Sequence, residues 1–191
     1  MNTYVILLRG INVGGKNKIS MSELKKCLED LGFSAVSTYI ASGNVLLTSD
    51  EPAATIKAKI EADLPKCFKL DSELIKVLVL SRAQLQAIVD NRPKGFGDHP
   101  ETYHSDAIFL MDIDTKQAMS VFQPREGIDV VWPGKGVVYS QRLSAERARS
   151  RLGKIIGTPM YKSMTIRSWN TTTKLLALLT AAEASAKTNR P

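Results

Sequence analysis

The sequence predicts an α+β protein made of two ferredoxin-like units, each an antiparallel sheet with helices packed on one face. Three observations support this prediction. The chain has 191 residues, of which 43% are hydrophobic, and this suits either one domain or two small ones. Patterns typical of strands and helices follow the order βαββαβ twice. A turn-rich stretch, NRPKGFGDHPETYH, separates the two repeats.

The domain boundaries follow from this stretch. We expect a first unit over residues 1–90, a connecting loop over 91–105, and a second unit with an extra C-terminal helix over 106–191. The two repeats share little visible sequence identity, so one larger continuous sheet is the alternative.

In the first repeat, short apolar runs next to turn residues predict strands, and apolar residues at helical spacing predict helices. Ser20 and Glu23 have the spacing of a capping box, and Gly32 marks the end of the helix that they begin. The predicted elements are a strand at 5–8, a helix from 20 to 32, a hairpin of strands at 36–40 and 45–48 with its turn at 42–44, a helix from 50 to 64, a strand at 74–80 and a helix at 81–89.

The second repeat shows the same kinds of pattern in the same order. Its predicted elements are a strand at 107–111, a short helix at 114–121, strands at 128–132 and 137–140 around a turn at 133–136, a helix at 144–156, a strand at 164–168 and a final helix at 170–184. The tail at 185–191 is expected to fray.

Cysteine content and the N-terminus bear on the location of the protein. Cys27 and Cys67 are the only cysteines, and each lies in a helical pattern, where a free thiol behaves as a small core residue. Because two cysteines make a poor disulfide framework, we expect free thiols and a cytoplasmic location. The N-terminus MNTYVILLRG has no basic region ahead of its short apolar run, and no apolar stretch approaches the roughly 18 residues of a membrane span. Neither a signal peptide nor a membrane partner is expected.

The net charge of +7 is unevenly distributed. Residues 1–134 carry 15 basic and 17 acidic side chains, whereas residues 135–191 carry 11 and 2. A basic C-terminal segment on a neutral body favours an anionic partner, either a phosphorylated small molecule or a nucleic acid.

Three stretches together carry a resemblance to a known family. They are YVILLRGINVGGKNKISM near the start, TYIASGNVLL at the predicted hairpin, and TIRSWNTTTKLL near the end. The chain resembles the domain of unknown function family 1697, whose members are small, mostly bacterial proteins, and the resemblance spans nearly its whole length. The resemblance implies a two-part α+β architecture. It implies no catalytic residue and no function.

The glycine-rich loop GINVGGKN follows a strand and precedes a helix, which nearly satisfies the P-loop pattern G-x-x-x-x-G-K-[ST]. Asn17 replaces the hydroxyl that would ligate magnesium, and the helix begins only at Ser20, so we do not expect a P-loop NTPase. The loop N–H groups, with Arg9, Lys16 and Lys18, are candidates for an anion nest, and Asn12 of the same loop is a further candidate ligand-binding residue. The alternative is a flexible connection whose lysines face water.

A second candidate site lies where TIRSWNTTTK passes from strand to helix. Asn170 is predicted as the N-cap, and Arg167 and Lys174 would reinforce the positive end of the helix for a phosphate or carboxylate. Asn44, at the hairpin tip, is a further candidate ligand-binding residue. The alternatives are an ordinary helix cap and an ordinary turn.

The predicted helix at 144–156 carries a basic stripe. Arg147, Arg151 and Lys154 have the spacing of one helix face, and Arg142 and Arg149 lie in the same region. Such a stripe neutralises phosphates in nucleic-acid binding proteins, and a solvated helix face is the alternative.

Several kinds of site are not expected. The titratable residues around the connecting loop match no metal-binding motif, so we expect no metal and no cofactor; they are Asp98, His99, Glu101, His104 and Asp106. The sequence contains no G-x-S-x-G elbow and no Cys/His nucleophile pattern. An RNA-recognition sheet is also not expected, because the strand at 45–47 has no aromatic residue for base stacking.

Three functions are compatible with these patterns. The first is binding of a phosphate-bearing ligand or nucleic acid in a cleft between the units, lined by Arg9, Lys16, Arg167 and Lys174, with Arg142 nearby. The second is an enzyme that acts on an anionic small molecule in the same cleft, with Tyr39, His104 and Asp112 as unplaced acid–base candidates. The third is a structural or oligomerisation module that pairs edge strands.

Overall fold

The computed structural model describes residues 1–71 and 75–188. The chain divides into two compact units, one of Met1–Leu85 with Leu175–Pro191 and one of Gln86–Lys174. Each contains a four-stranded antiparallel sheet, so the strands form two sheets rather than one continuous sheet. The mixed α+β class is confirmed, and the boundaries at 90/91 and 105/106 stay a prediction.

The first sheet has the strand order β2-β3-β1-β4, with β1 antiparallel to both of its neighbours. The inner strand β1 is buried over Val5–Leu8, which explains the continuous apolar run in the sequence. The elements of this part of the chain are β1 Asn2–Arg9, α1 Met21–Asp30, β2 Ser34–Tyr39, β3 Asn44–Ser49, α2 Ala53–Cys67, β4 Lys76–Ser81 and α3 Arg82–Asp90. All of the predicted elements are present here, although Leu74 of the predicted strand lies outside the described residues.

Helices α1 and α2 cover one face of the first sheet. Their apolar residues at helical spacing pack in one core with the alternate side chains of β1 and β3, namely Leu24, Leu28, Ile56, Ile60 and Leu64 with Ile6, Leu8, Val45 and Leu47. Both helices therefore form because their apolar faces are buried against the sheet.

The two ends of α1 differ in how well the sequence predicted them. The capping box is wrong: Ser20 occupies the N-cap without a side-chain cap bond, and its hydroxyl pairs with that of Ser22 at 2.7 Å. Gly32 ends the helix as predicted, with φ of 90° and its N–H donating to Glu29 O at 2.9 Å. The next N–H, from Phe33, reaches Leu28 O at 3.2 Å, which completes a Schellman motif.

A disulfide joins Cys27 of α1 to Cys67, the last residue of α2. The prediction of two free thiols is therefore wrong. The physical reason is that the sheet brings both helices to the same face, which places two cysteines 40 residues apart in sequence within bonding distance. Sequence spacing alone contains no information about that approach.

The second sheet has the order β6-β7-β5-β8, again fully antiparallel. The elements of this part of the chain are β5 Tyr103–Leu110, α4 Thr115–Met119, β6 Asp129–Gly134, β7 Val137–Leu143, β8 Met164–Ser168 and α5 Trp169–Thr188. Helix α5 continues beyond the predicted end at 184, and the last three residues of the predicted frayed tail lie outside the described residues.

The predicted helix at 144–156 is wrong. Three 3-10 segments cross this region instead, at Ser144–Arg149, Leu152–Gly157 and Pro159–Ser163. Ser150 has extended backbone, and the N–H of Arg151 donates to the Asp129 carboxylate at 2.8 Å rather than to the carbonyl one helical turn earlier. The basic stripe of Arg147, Arg151 and Lys154, which assumed α-helical spacing, does not form.

Within residues 1–71 and 75–188, we find no helix that combines the length and the apolar character required to cross a bilayer.

Candidate ligand-binding site

A cavity of about 370 Å³ lies on one face of the second sheet, beneath the 3-10 segments. This volume is within the range of small-molecule pockets, about 300 to 1,000 Å³. The sheet contributes Asp106, Ile108, Ser140, Arg142 and Ile166, and the segments above it contribute Arg147, Ser150, Leu152, Gly153, Ile155 and Ile156.

Strand register gives the cavity a polar end and an apolar end. Asp106 pairs with Ser140, and two residues further along the strands, on the same face, His104 lies opposite Arg142. In the other direction, Ile108 pairs with Ile166 of β8. Residues directly opposite each other share a face of the sheet, so a polar row and an apolar row lie side by side. A ligand in this cavity meets charge and hydroxyl groups at one end and branched aliphatic side chains at the other.

Asp106 is the buried acid of the polar end, with a side chain only 12% exposed. Its Oδ1 lies 3.1 Å from His104 Nε2, and its Oδ2 lies 3.5 Å from Arg142 Nη1. Burial raises the pKa of the Asp106 carboxyl above its ordinary value, and the charges of His104 and Arg142 oppose that rise. The carboxyl group therefore lies within the cavity, held by two basic neighbours.

Asp129 holds the cavity wall in place from the edge strand β6. Its Oδ2 accepts the backbone N–H groups of Arg151 at 2.8 Å and of Arg125 at 3.0 Å. Although burial acts to raise the pKa of this carboxyl, the Ser150 hydroxyl, the two N–H groups and the charge of Arg142 together lower it below its ordinary value. Asp129 stays ionised and fixes the segment that carries Ser150 over the sheet.

Of the eight predicted site residues, Arg142 lines this cavity. Arg167 belongs to the same sheet but to its other face, because it pairs with Ala107 whereas Arg142 pairs with His104, and these two residues of β5 are an odd number of positions apart. The Arg167 guanidinium donates to Thr165 Oγ1 at 2.9 Å and to Ile166 O at 2.8 Å, and burial lowers its pKa to about 10. Arg142 and Arg167 therefore do not contribute to one pocket.

The start of α5 differs from the prediction. Ser168, not Asn170, caps the helix: its hydroxyl accepts the N–H of Thr171 at 3.2 Å. Asn170 is exposed in the first turn and lines a smaller cavity of about 230 Å³ with His104 and Trp169. Lys174 is exposed one turn further along the helix.

The glycine-rich loop is an ordered structure within the first unit. The Asn12 Nδ2 donates to Ile19 O and to Ala41 O, each at 2.9 Å, and the Asn12 Oδ1 accepts the N–H of Ile19 at 2.8 Å. Asn17 is buried and exchanges hydrogen bonds of 2.7 Å with the backbone and side chain of Asp71. Two asparagine side chains thus hold the loop through hydrogen bonds to backbone groups.

The remaining predicted residues of the first unit differ in exposure. Arg9 is half-buried and Lys16 is exposed, so the loop presents basic side chains to solvent. Asn44 is fully buried, and its Nδ2 donates to Tyr39 O at 3.1 Å and to Ser42 Oγ at 2.9 Å. Asn44 therefore closes the hairpin with its own amide.

The sequence patterns missed Ser140 and Ser150 and gave Asp106 a different role. His104 and Asp106 were considered as metal ligands, but the described residues contain no group of three His, Cys, Asp or Glu side chains that could hold a metal ion. The useful signal was strand alternation: residues 104, 106 and 108 share one face of β5, and the first two are polar.

The chain is similar to known proteins along most of its length. Residues 1–139 match the family described as "Protein of unknown function (DUF1697)". The chain belongs to the DUF1697 family. This DUF1697 protein is also similar to a solved structure, that of the conserved bacterial protein SP0830 from Streptococcus pneumoniae, with 28% sequence identity, a TM-score of 0.78, and coverage of 93% of this chain and 98% of that chain. No curated protein matches it. The resemblance found in the sequence is confirmed, and it assigns no activity.

Proposed function

We propose that this protein binds a small molecule that has an anionic, phosphate-type head group and an apolar body, in the cavity on the second sheet. The observation that carries the proposal is the position of Arg142, whose side chain is 18% exposed and lines the polar end of that cavity. A partly desolvated guanidinium binds phosphate or carboxylate more strongly than a surface cation does, and its fork matches two oxygens of either group.

Further donors surround the same end of the cavity. Arg147 is exposed at the rim, and the hydroxyl groups of Ser140 and Ser150 lie on opposite walls. Hydroxyl groups and arginines are the donors that accompany anionic head groups in protein sites. Together with the apolar row of Ile108 and Ile166, they favour an amphipathic anion over a bare ion.

Surface composition favours a small ligand over nucleic acid. Among the described residues, the exposed large hydrophobic side chains are Met1, Val13, Ile40, Val130 and Ile156, and none of them is aromatic. Proteins that bind single strands without sequence preference stack bases on exposed aromatic rings. Titration with mixed oligonucleotides, beside the small ligand, would detect nucleic-acid binding through the basic C-terminal segment instead.

The test is titration of the protein with phenyl phosphate, which combines a phosphate monoester with an apolar ring, by calorimetry at low ionic strength. We expect saturable binding at one site. Arg142→Ala should weaken it by roughly tenfold to a hundredfold, because a hydrogen bond to a charged group contributes about 1.5 to 3 kcal/mol. Arg142→Lys should recover only part of the affinity, since an ammonium group lacks the fork.

Arg149→Ala is the matched control. Arg149 belongs to the same 3-10 segment as Arg147 but pairs with Glu146 at 3.1 Å and is exposed. Its replacement should leave the affinity unchanged. Equal losses in Arg142→Ala and Arg149→Ala, or binding of mixed oligonucleotides in preference to phenyl phosphate, would contradict the proposal.

A second candidate function is an enzyme that acts on the same ligand. The 3.1 Å contact between His104 and Asp106, at the edge of the cavity, is the observation that favours it, since such pairs transfer protons in general acid–base catalysis. Incubation of bound ligands with the protein, followed by chromatography, separates the two: a ligand that is bound and never converted supports the binding function alone.

We also infer that the first unit is ferredoxin-like, with the second a variant of it. The support is the strand order, which within each unit is second, third, first, fourth. The second unit replaces its second helix with 3-10 segments. The predicted pocket shared by Arg9, Lys16, Arg167 and Lys174 stays a prediction, as does the cytoplasmic location.

A further inference from the structure

The anion cavity contains a carboxyl group, and this restricts which anions it accepts. Asp106 is one of the residues that line the cavity, and it pairs across the strands with Ser140, another lining residue. Any head group that reaches Arg142 also meets Asp106, because the closest atoms of the two side chains are 3.5 Å apart. An anion beside an ionised carboxylate is destabilised unless a proton lies between them.

The neighbours of Asp106 hold it in the cavity without using all its acceptor sites. An ionised carboxylate accepts up to about four hydrogen bonds. His104 occupies one oxygen at 3.1 Å, and Arg142 approaches the other at 3.5 Å, which is long for a hydrogen bond. The other charged groups around it are Arg147 of the first 3-10 segment, which lines the cavity, and Asp129 of β6, opposite Arg142 in the register. The carboxylate thus retains acceptor capacity toward the cavity.

We propose that the cavity selects anions that carry their own proton, so that a phosphate monoester binds through a P–OH group donated to Asp106 while two of its other oxygens face Arg142. This inference rests on the proposed function and narrows its ligand class. A sulfate ester has no proton to donate near neutral pH, and neither has a phosphodiester. Either of them would leave two negative charges in contact without a proton between them.

The second ionisation of the ligand favours this selection near pH 6. The second pKa of a phosphate monoester is about 6, so a large fraction of such a ligand carries one proton there. Burial raises the pKa of Asp106, which makes its carboxylate a better hydrogen-bond acceptor for a P–OH group than an exposed carboxylate.

The experiment compares phenyl phosphate, phenyl sulfate and methyl phenyl phosphate, which share one apolar ring and differ in the head group. Calorimetric titrations are performed near pH 6, with inorganic phosphate and inorganic sulfate as ring-free probes. In the wild-type protein, we expect phenyl phosphate to bind at least about tenfold more tightly than either of the other two esters, since an unsatisfied charged group costs at least that much. Inorganic phosphate should likewise exceed inorganic sulfate.

Asp106→Asn removes the negative charge and replaces one of the two acceptor oxygens with an NH₂ donor, in a side chain of similar shape. In this variant phenyl sulfate should gain affinity and phenyl phosphate should lose affinity, so that the tenfold preference disappears. Asp98→Asn is the control, because Asp98 belongs to the same unit but pairs with Arg92 on the surface, and it should keep the wild-type preference.

The affinities of the three esters decide whether the inference holds. A monoester preference that Asp106→Asn abolishes supports the inference. Equal binding of the three esters to the wild-type protein overturns it and leaves the proposed function intact. No binding of any ester overturns the proposed function itself. A monoester preference that a folded Asp106→Asn protein retains also overturns the inference, and equal binding to the wild-type protein overturns it even where the variant does not fold.

Discussion

The Oδ2 atom of Asp106 lies 3.5 Å from Nη1 of Arg142, and both side chains line the same cavity. The acid is thus buried next to a base that only partly compensates for its loss of water, because burial is the largest influence on its pKa and raises it. This relationship has a consequence for stability that is independent of any ligand.

We expect the free energy of unfolding of Asp106→Asn, relative to that of the wild type, to rise as the pH rises above 3.8, the ordinary pKa of the group. A raised pKa means that the folded state holds this proton more tightly than the unfolded state, so wild-type stability falls with pH through the window between the two pKa values. The amide variant does not lose that contribution. Urea denaturation of both proteins at several pH values measures the difference, and a difference that shrinks with rising pH would contradict the raised pKa.

Reduction of the Cys27–Cys67 disulfide should lower the free energy of unfolding by about 4 kcal/mol. The bond closes a loop of 40 residues, and the chain-entropy cost of an open loop of that size gives this magnitude. Thermal or urea denaturation with and without dithiothreitol measures it. The double variant Cys27→Ser/Cys67→Ser should match the reduced protein and should not respond to the reductant. An unchanged wild-type midpoint on reduction would show that the bond does not stabilise the fold.

Gly43→Ala should destabilise the protein by roughly 2 to 4 kcal/mol. Gly43 has φ of +76°, and an added Cβ would lie 2.9 Å from both Leu8 Cβ and Ile11 Cδ1. Both of these side chains are buried, so neither can shift to make space for the added carbon. Gly14→Ala is the matched control, because its φ is also positive, +59°, but no atom lies within 4 Å of the added carbon. It should cost only about 1 kcal/mol, and equal losses at the two positions would show that the close contact has no role.

Asn12→Ala should destabilise the glycine-rich loop by roughly 1 to 3 kcal/mol, because the side chain makes three hydrogen bonds to backbone groups of Ile19 and Ala41. Hydrogen exchange should show lost protection of the Ile19 N–H. Asn170→Ala is the control, since that residue is exposed, and it should change stability by less than about 0.5 kcal/mol. An Asn12→Ala protein as stable as the wild type, with Ile19 still protected, would contradict the holding role of Asn12.

Local patterns in the sequence predicted the strands well because each strand has its own apolar run. The strand predicted at 164–168 coincides with β8, and the apolar run of β1 is buried as expected. Helix ends were predicted where a backbone requirement decides them, as at Gly32. They were missed where two good capping residues are close together, as with Ser168 and Asn170.

The cavity could not be predicted because it depends on long-range pairing. Asp106 and Arg142 are 36 residues apart, and only the register of β5 against β7 brings them to one face of the sheet. The registers of β7 and β8 against β5 assign Arg142 and Arg167 to opposite faces of the sheet, although the sequence pattern predicts both near one cleft. The predicted helix at 144–156 failed for a similar reason, since the distant carboxylate of Asp129 takes the Arg151 N–H that the helix would have used.

In the first unit a helix of 15 residues, α2, follows the hairpin, whereas the three 3-10 segments occupy the corresponding part of the second unit. A packed helix and an open cavity would therefore compete for the same aliphatic surface around Ile108 and Ile166. A chain redesigned to carry a continuous amphipathic helix there would gain rigidity and would lose the concave surface of the proposed binding site.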